Sequence, residues 1–499
     1  MPAGELAIVL HTHMPYVEGG GEWPPREIRE LISSGGCDFT TAAAHAGCEP
    51  SVEGFGTWPF GEEWLWEAVA TSYLPLLDVL ERRGVGRSRR QLTLSLTPVL
   101  CDQLQAPGAL ERCLEFLLTV RPESHAIDAA VHRQGDAAVA AELERSARDY
   151  ARAATRLQEL ISTPGGLLGA LGAHATWTST ATHAVLPLLA LRDSIVLQLG
   201  VGIESHRRRF GEWGAGLWLP ECAHAWWVNA LLTELGVRMT CVELTSIFGR
   251  GDQRNLHPHR LEQGPALFPV DREVVDLVWG PGGYPASGAY RDSHRRTAHD
   301  HHAWANDGQV YDRERAQAQA RADAASFVSA VSDRLSGGGL CVCALDTELL
   351  GHWWYEGPLW LEAVLEQADA AGLRLTALDE QLLERHPPVA GQLPRALPAI
   401  SWGEGGDLRS WSGPEVADLA FQSRTAELHA HTGEHGELSP RAVRELLALQ
   451  SSDWAFLAQR GWAGDYPRQR ASWHAAQLAA AISDPEPAPG LRNLAPWLA

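Results

Sequence analysis

The first apolar run of the chain, Leu6 to Leu10, is short, unbroken and β-prone, and it stops at the polar triplet His11-Thr12-His13. Such a run reads as a buried strand. Gln91 to Leu96 alternates as a second strand, and Gly216 to Pro220, Val237 to Leu244 and Leu340 to Leu345 predict three more. Between them the period changes to that of a helix: from Gly61 to Arg83, over about 108–161, from Pro220 to Leu235, and over 312–335, where three glycines stop it. Short strands alternating with helices predict a parallel α/β core of barrel type with a helical insertion. Residues 18–57, rich in Gly, Pro and small polar residues, read as a long loop or insertion. Pro387 to Pro398 holds four prolines and reads as a boundary. Beyond residue 413 the pattern is almost wholly helical, over 414–433, 439–460 and 464–482.

Composition narrows the function. With 45% hydrophobic and 21% charged residues among 499, the chain buries a large core, which excludes disorder and low complexity. A net charge of −21 argues against nucleic acid as a partner. No stretch is long and apolar enough for a membrane helix. All 41 basic residues are arginine. Without lysine there is no Schiff-base or pyridoxal phosphate chemistry and no phosphate-loop lysine; no cofactor is expected. The N-terminus lacks a basic leader, and none of the eight cysteines forms a CxxC pair. Reduced thiols and a cytoplasmic location are therefore expected. Oligomeric state has no signature in the sequence.

In a parallel α/β fold, functional groups gather where strands end. Three strand ends are unusually polar: His11-Thr12-His13, Glu221-Cys222-Ala223-His224 and Asp346-Thr347-Glu348. A carboxylate directly after an apolar run is costly unless solvated or paired. Two brought to one mouth divide into a nucleophile and a proton donor, because repulsion separates their pKa values. The bland alternatives are a structural Glu221 paired with an arginine, and Asp346 as a helix N-cap, which is compatible with catalysis. His11 and His13 with His183 and a carboxylate could instead hold a metal. His299-Asp300-His301-His302 reads as a solvated loop rather than a metal site. Tryptophan, at 20 residues, outnumbers Phe at 10 and Tyr at 8. Most large aromatics are core, but Trp58, Trp218, Trp279, Trp353, Trp354, Trp402 and Trp411 adjoin polar or glycine-rich segments, where broad faces suit pyranose rings.

Seven blocks in order resemble glycoside hydrolase family 57. They are His11-Thr12-His13-Met14-Pro15-Tyr16-Val17, Trp58-Pro59-Phe60-Gly61-Glu62-Glu63-Trp64-Leu65, Thr182-His183-Ala184-Val185-Leu186-Pro187-Leu188-Leu189, and Gly216 through Glu221 to His224. Leu345-Asp346-Thr347-Glu348 onward to Pro358 and Ser401-Trp402-Gly403-Glu404-Gly405-Gly406 follow. Ser452-Asp453-Trp454-Ala455-Phe456 is similar to the C-terminal helical domain of that family's 1,4-α-glucan branching enzymes. The resemblance implies an incomplete (β/α)7 barrel with a helical subdomain at about 105–165, together spanning 1–385, and an α-helical C-terminal domain over 386–499. It implies Glu221 as nucleophile and Asp346 as general acid/base. It implies His11, His13 and His183 around the sugar at the cleavage point, and no metal. Trp279, Trp353, Trp402, Glu404 and Trp411 fall at or beside positions along the glucan groove. The expected activity is retaining transglycosylation on α-1,4-glucan.

One stretch departs from the family. Its branching enzymes carry a loop after the nucleophile strand with a tyrosine near its tip, which favours transfer over hydrolysis. The corresponding Phe248 to Val270 has no tyrosine, and offers Arg254, His257, His259 and Arg260. That leaves three readings: a branching enzyme, an α-glucan hydrolase or 4-α-glucanotransferase on the same site, and a non-catalytic glucan-binding protein.

Overall fold

The computed structural model describes residues 4–17, 61–85, 91–261, 264–394, 398–432, 437–461, 463–484 and 493–498. The 18–57 insertion, Trp58 to Phe60, Cys37 and Cys48 lie outside the described residues, as does 395–397 of the proline-rich boundary.

Ten strands form one sheet: β1 (Glu5–Thr12), β2 (Leu92–Leu96), β3 (Ala175–Ser179), β4 (Gly216–Trp218), β5 (Met239–Val242), β6 (His259–Arg260), β7 (Ala266–Pro269), β8 (Leu340–Asp346), β9 (Arg374–Leu375) and β10 (Val389–Ala390). Seven of them run parallel in the order β8-β1-β2-β3-β4-β5-β7. β6 runs antiparallel to β7, and the short β9 and β10 sit at the margins. The sheet curls far enough for Asp271 N–H, just past β7, to donate to Val342 O in β8 at 2.9 Å. This is an incomplete (β/α)7 barrel. All eight residues of β1 and the first six of β8 are buried, as expected of parallel strands covered on both faces. Their register sets His11 opposite Asp346 on one side and Ser95 of β2 on the other.

Two helices after β1, Glu62–Ala68 and Leu74–Arg82, are joined by a π-helical turn, Val69–Tyr73. The helical insertion comprises Ala109–Glu115, a second π turn Phe116–Val120, Arg121–Arg133 and Ala137–Ile161. The last of these begins where the Asp136 side chain accepts from the Ala138 and Val139 amides. Toward the C-terminus, helices Ala417–Thr432, Pro440–Leu449, Asp453–Arg460 and Tyr466–Ser483 close around Leu446, Trp454 and Leu478. Val185 and Ala223, from the barrel's loops, belong to the same apolar cluster, so this helical unit is packed on the mouth. The six described cysteines are free and buried. No described helix is long and apolar enough to cross a membrane.

Candidate active site

Glu221 sits on a very tight corner after β4. Cys222 N–H donates to Leu219 O and Ala223 N–H to Pro220 O, both at 2.9 Å. The corner forces Glu221 to φ 61° and Cys222 to φ 49°, the left-handed region where a side chain is strained. His183, on the neighbouring β3 loop, is likewise at φ 59°. Such strain persists only where surrounding contacts over-determine it, and it clusters at functional sites. Here the contacts are visible. Trp402 Nε1–H donates to Glu221 Oε2 at 2.8 Å, and Trp402 N–H donates to Glu221 O at 3.0 Å. His183 Nδ1 lies 3.8 Å from Oε1. Among the described residues no arginine forms an ion pair with Glu221, which removes the structural-carboxylate alternative.

Asp346 ends β8. It precedes a 3-10 turn, Thr347–Leu349, but its side chain makes no capping bond to it, so the N-cap alternative also falls. The carboxylate stands open to the cleft and accepts no hydrogen bond among the described residues. Asp346 lies close enough to Glu221 for its charge to act on that carboxyl. Burial pushes both carboxyls up, and for Glu221 the nearby Asp346 and Asp453 add to the push. Interacting groups of this kind lose their protons as a pair. The indole N–H on Oε2 favours the ionised form of Glu221, whereas Asp346 has no such donor. Burial pushes Glu221 up to about 8 but Asp346, where His13 draws the carboxyl back, only to about 6. The open site therefore favours the proton on Glu221, and its placement on Asp346 relies on the indole N–H and on a bound chain. Asp346 is exposed at the end of its strand, which moderates its upward push; a bound chain that displaces this water strengthens it.

The histidines form a single stack. His11 Nε2 and His183 Nε2 are 3.0 Å apart, and His183 Nδ1 meets Ser452 Oγ at 2.9 Å. His13 bridges Thr97 Oγ1 at 3.1 Å and Asp453 Oδ1 at 2.9 Å. The His13 and His183 ring centroids are 4.0 Å apart, and His11 stacks on Trp218 at 4.8 Å. Burial, with the neighbouring imidazoles, holds His11 and His183 well below the usual histidine range, hence neutral. Burial would raise Asp453, but His13, with His183 and Ser451, outweighs it and holds the carboxyl low. One ligand atom each from His13, His183 and Asp453 falls within 4.8 Å of the others. His13 is already engaged by Thr97 and Asp453, and His183 by His11 and Ser452, so as arranged the set is hydrogen-bonded within itself.

Glu348, two residues beyond Asp346, carries no signal in the sequence that sets it apart from its motif. It is buried, accepting from His13 N–H at 3.1 Å and Tyr73 O–H at 2.7 Å. Burial pushes its carboxyl up to about 8, with Asp346 adding to the rise. Tyr73 lies in the first π turn, as does Ser72, whose hydroxyl donates to Thr347 O at 2.9 Å. The widened turn thus grips the segment that follows Asp346. Ser452 and Asp453, from the C-terminal unit, complete the histidine cluster. Trp226 and Trp227, 52% and 37% exposed on the loop after Glu221, were also passed over; the adjoining Glu221 block was the only signal.

The expected groove residues divide by exposure. Trp279 and Trp353 are 55% and 39% exposed, Trp402 is half-buried beside Glu221, and Glu404 is exposed. Trp411 is buried at 2%, packed against Gly403 in the helical core, so it supports the loop carrying Trp402 instead of presenting a face to solvent. The His299–His302 segment is not a solvated loop. His301 is 2% exposed, stacked on His125 at 3.5 Å, and His299 Nδ1 meets Asp128 at 2.6 Å; the segment clamps the helical insertion to the barrel. The tyrosine-free stretch folds back on the barrel wall. Arg334 donates to Gly251 O and Asp252 O at 2.9 Å, Arg250 pairs with Asp276 at 2.7 Å, and β6 joins β7 and β10.

Two carboxylates sit at the mouth of an incomplete barrel, one held by an indole N–H and the other exposed, the pair of groups that a glycosidase-type centre requires. Residues 171–391 match the model of glycosyl hydrolase family 57, and 417–485 match that of the 1,4-alpha-glucan branching enzyme C-terminal region. A probable 1,4-alpha-glucan branching enzyme of Mycobacterium tuberculosis is 32% identical over 95% of this chain and 90% of its own. A 1,4-alpha-glucan branching enzyme of Thermococcus kodakarensis is 28% identical, over 94% and 72% respectively. The crystal structure of a family 57-type branching enzyme from Pyrococcus horikoshii superposes with a TM-score of 0.78 at 28% identity, covering 96% of this chain and 90% of that one. The chain belongs to glycosyl hydrolase family 57.

Proposed function

We propose that the protein is a retaining 1,4-α-glucan branching enzyme, acting on α-1,4-glucan in the cytoplasm without a cofactor. The observation that carries this reading is the pairing of Glu221, fixed by Trp402, with Asp346 across one mouth. Asp346 protonates the glycosidic oxygen while Glu221 attacks the anomeric carbon, giving a β-glycosyl ester and releasing the chain end. Asp346, now a carboxylate, takes the proton from a sugar 6-hydroxyl, which displaces Glu221 and leaves an α-1,6 link. Two inversions give net retention. The neutral His11 and His183, with His13 braced by Asp453, hold the hydroxyls of the sugar at the cleavage point. Trp279, Trp353, Trp402 and Glu404 extend the groove, with Trp411 behind Trp402. On this reading residues 1–385 form the catalytic unit, and 386–499 complete the groove through Ser452 and Asp453.

Incubation with amylose tests the proposal: new α-1,6 ends, released as short chains by a debranching enzyme, are expected. Products with α-1,4 links alone would refute branching. A second reading, hydrolase or 4-α-glucanotransferase, draws on the tyrosine-free Phe248–Val270 stretch. It predicts reducing ends or redistributed linear chains instead.

A further inference from the structure

A cavity of about 550 Å3 lies between the barrel wall and the helical insertion, within the range of about 300–1,000 Å3 typical of small-ligand sites. Glu221, Asp346 and the three stacked histidines do not line it. One wall is the loop that continues from β8, including Trp353 and Tyr355; the opposite wall comes from helices Ala137–Ile161 and Arg313–Arg334. The wall is tied to the catalytic strand, since Trp353 N–H donates to Glu348 O at 3.2 Å.

The lining chemistry is specific. Arg291 is 8% exposed, and its guanidinium carbon sits 4.3 Å and 4.0 Å from the ring centroids of Tyr311 and Tyr355. Its Nε finds no hydrogen-bond partner among the described residues, whereas the Glu356 carboxylate accepts from Tyr311 and from the Arg291 backbone N–H. Buried polar atoms are ordinarily satisfied, so the unpartnered Arg291 Nε in the cavity wall calls for an acceptor oxygen on a ligand. Charge points the same way. Arg313 is paired with Asp149, which also accepts from Tyr355 O–H, and Arg121 is paired with Glu67. No unbalanced positive field is left to select an anion. A neutral polyhydroxylated ligand, with hydroxyls for the charged groups and C–H faces for the tyrosines, fits.

Direction follows from the chemistry. The acid/base stands on the leaving-group side of the bond broken, and an acceptor enters where the leaving group departed. It therefore approaches past Asp346, and the loop leaving Asp346 is the cavity's wall. We propose that this cavity binds the acceptor α-glucan chain and delivers its 6-hydroxyl to the glycosyl ester; this rests on the branching reading above.

Gln317 lines the cavity from the Arg313–Arg334 helix, so Gln317→Trp fills it, and Arg313→Ala removes a wall donor. Each variant is assayed with amylose as donor and a labelled maltooligosaccharide as acceptor. The expected result is an acceptor KM raised about tenfold or more, a larger share of hydrolysis, and donor cleavage at saturating acceptor within about twofold of the parent. An unchanged acceptor KM in both folded variants overturns the proposal, as does an equal loss of cleavage and transfer. If the parent forms no α-1,6 links, branching fails instead. The cavity is then judged by calorimetry of maltoheptaose on Glu221→Gln, where adding Gln317→Trp must weaken binding about tenfold, and equal affinity overturns it.

Discussion

At the scale of the residue, the site is a set of matched hydrogen bonds around charges that burial penalises. Trp402 Nε1–H on Glu221 Oε2 is worth about 1.5–3 kcal/mol when that carboxyl is ionised for attack. Trp402→Phe keeps the aromatic face and removes the donor. Formation of the glycosyl ester, followed by single-turnover kinetics, should slow about 10–100-fold, and an unchanged rate would remove Trp402 from this role. Two other acids predict opposite pH behaviour. Asp453 is held below the usual carboxylate range. Its contribution to stability is therefore present above the unfolded value of about 3.9 and lost as pH falls through the depressed one. Asp453→Asn should cost stability at neutral pH, and the gap from the parent should close on acidification. Glu348 is pushed up to about 8. The folded state then keeps a proton that the unfolded chain gives up near pH 4.3, and stability falls as pH rises from about 4.3 to 8. Glu348→Gln should flatten that slope. Denaturant titrations across pH test both, and parallel curves for parent and variants would contradict the assignments. These residue roles were unevenly legible. Glu221 and Asp346 stood out because a carboxylate after an apolar run is costly; Glu348 has the same chemistry, but its partners, His13 and Tyr73, are 335 and 275 residues away.

At the scale of the element, periodicity reveals what is uniformly buried and misses what is short or mixed. β1 and β8 carry the unbroken apolar runs Leu6 to Leu10 and Leu340 to Leu345, which make them plain. β3, Ala-Thr-Trp-Thr-Ser, has a single large apolar residue, and β7, Ala-Leu-Phe-Pro, is four residues long; neither carries a period-2 signal. Helix Gly357–Ala371 buries Trp360, Leu361, Val364 and Leu365 together with Ala363 and Ala368, so its apolar residues trace no single narrow stripe. The π turn Val69–Tyr73 leaves no trace in the apolar pattern either, because one wider turn hardly shifts it. Yet it positions Ser72 and Tyr73. Its fit against the β8 loop depends on Gly351, at φ 109°, where a Cβ would lie 1.8 Å from Thr71 O. Gly351→Ala should lower stability by about 2–4 kcal/mol, the sum of backbone strain and overpacking. Thermal or urea unfolding measures it, and a change below about 0.5 kcal/mol, typical of neutral surface sites, would show that the contact relaxes freely.

At the scale of the molecule, parallel β/α order predicted the barrel, and the long polar-faced helices predicted the insertion and the C-terminal unit. Their mutual placement was less legible, because it depends on contacts between distant segments. His301 reads as polar in sequence, yet it is sealed between Arg121 and His125. Asp453 lies in a helical segment with no catalytic pattern of its own, yet reaches His13 across 440 residues. The proposed centre thus draws on the ends of β1, β3, β4 and β8 and one helix of the C-terminal unit. The most direct test is chemical trapping. Asp346→Asn, which retains the nucleophile but lacks the acid/base, is mixed with an α-maltosyl donor bearing a good leaving group, quenched in acid and digested for mass spectrometry. The account predicts a glycosyl ester accumulating on the peptide that contains Glu221, and none when Glu221→Gln is added. A glycosyl group on another residue, or turnover that inverts the anomeric centre with no adduct, would contradict it.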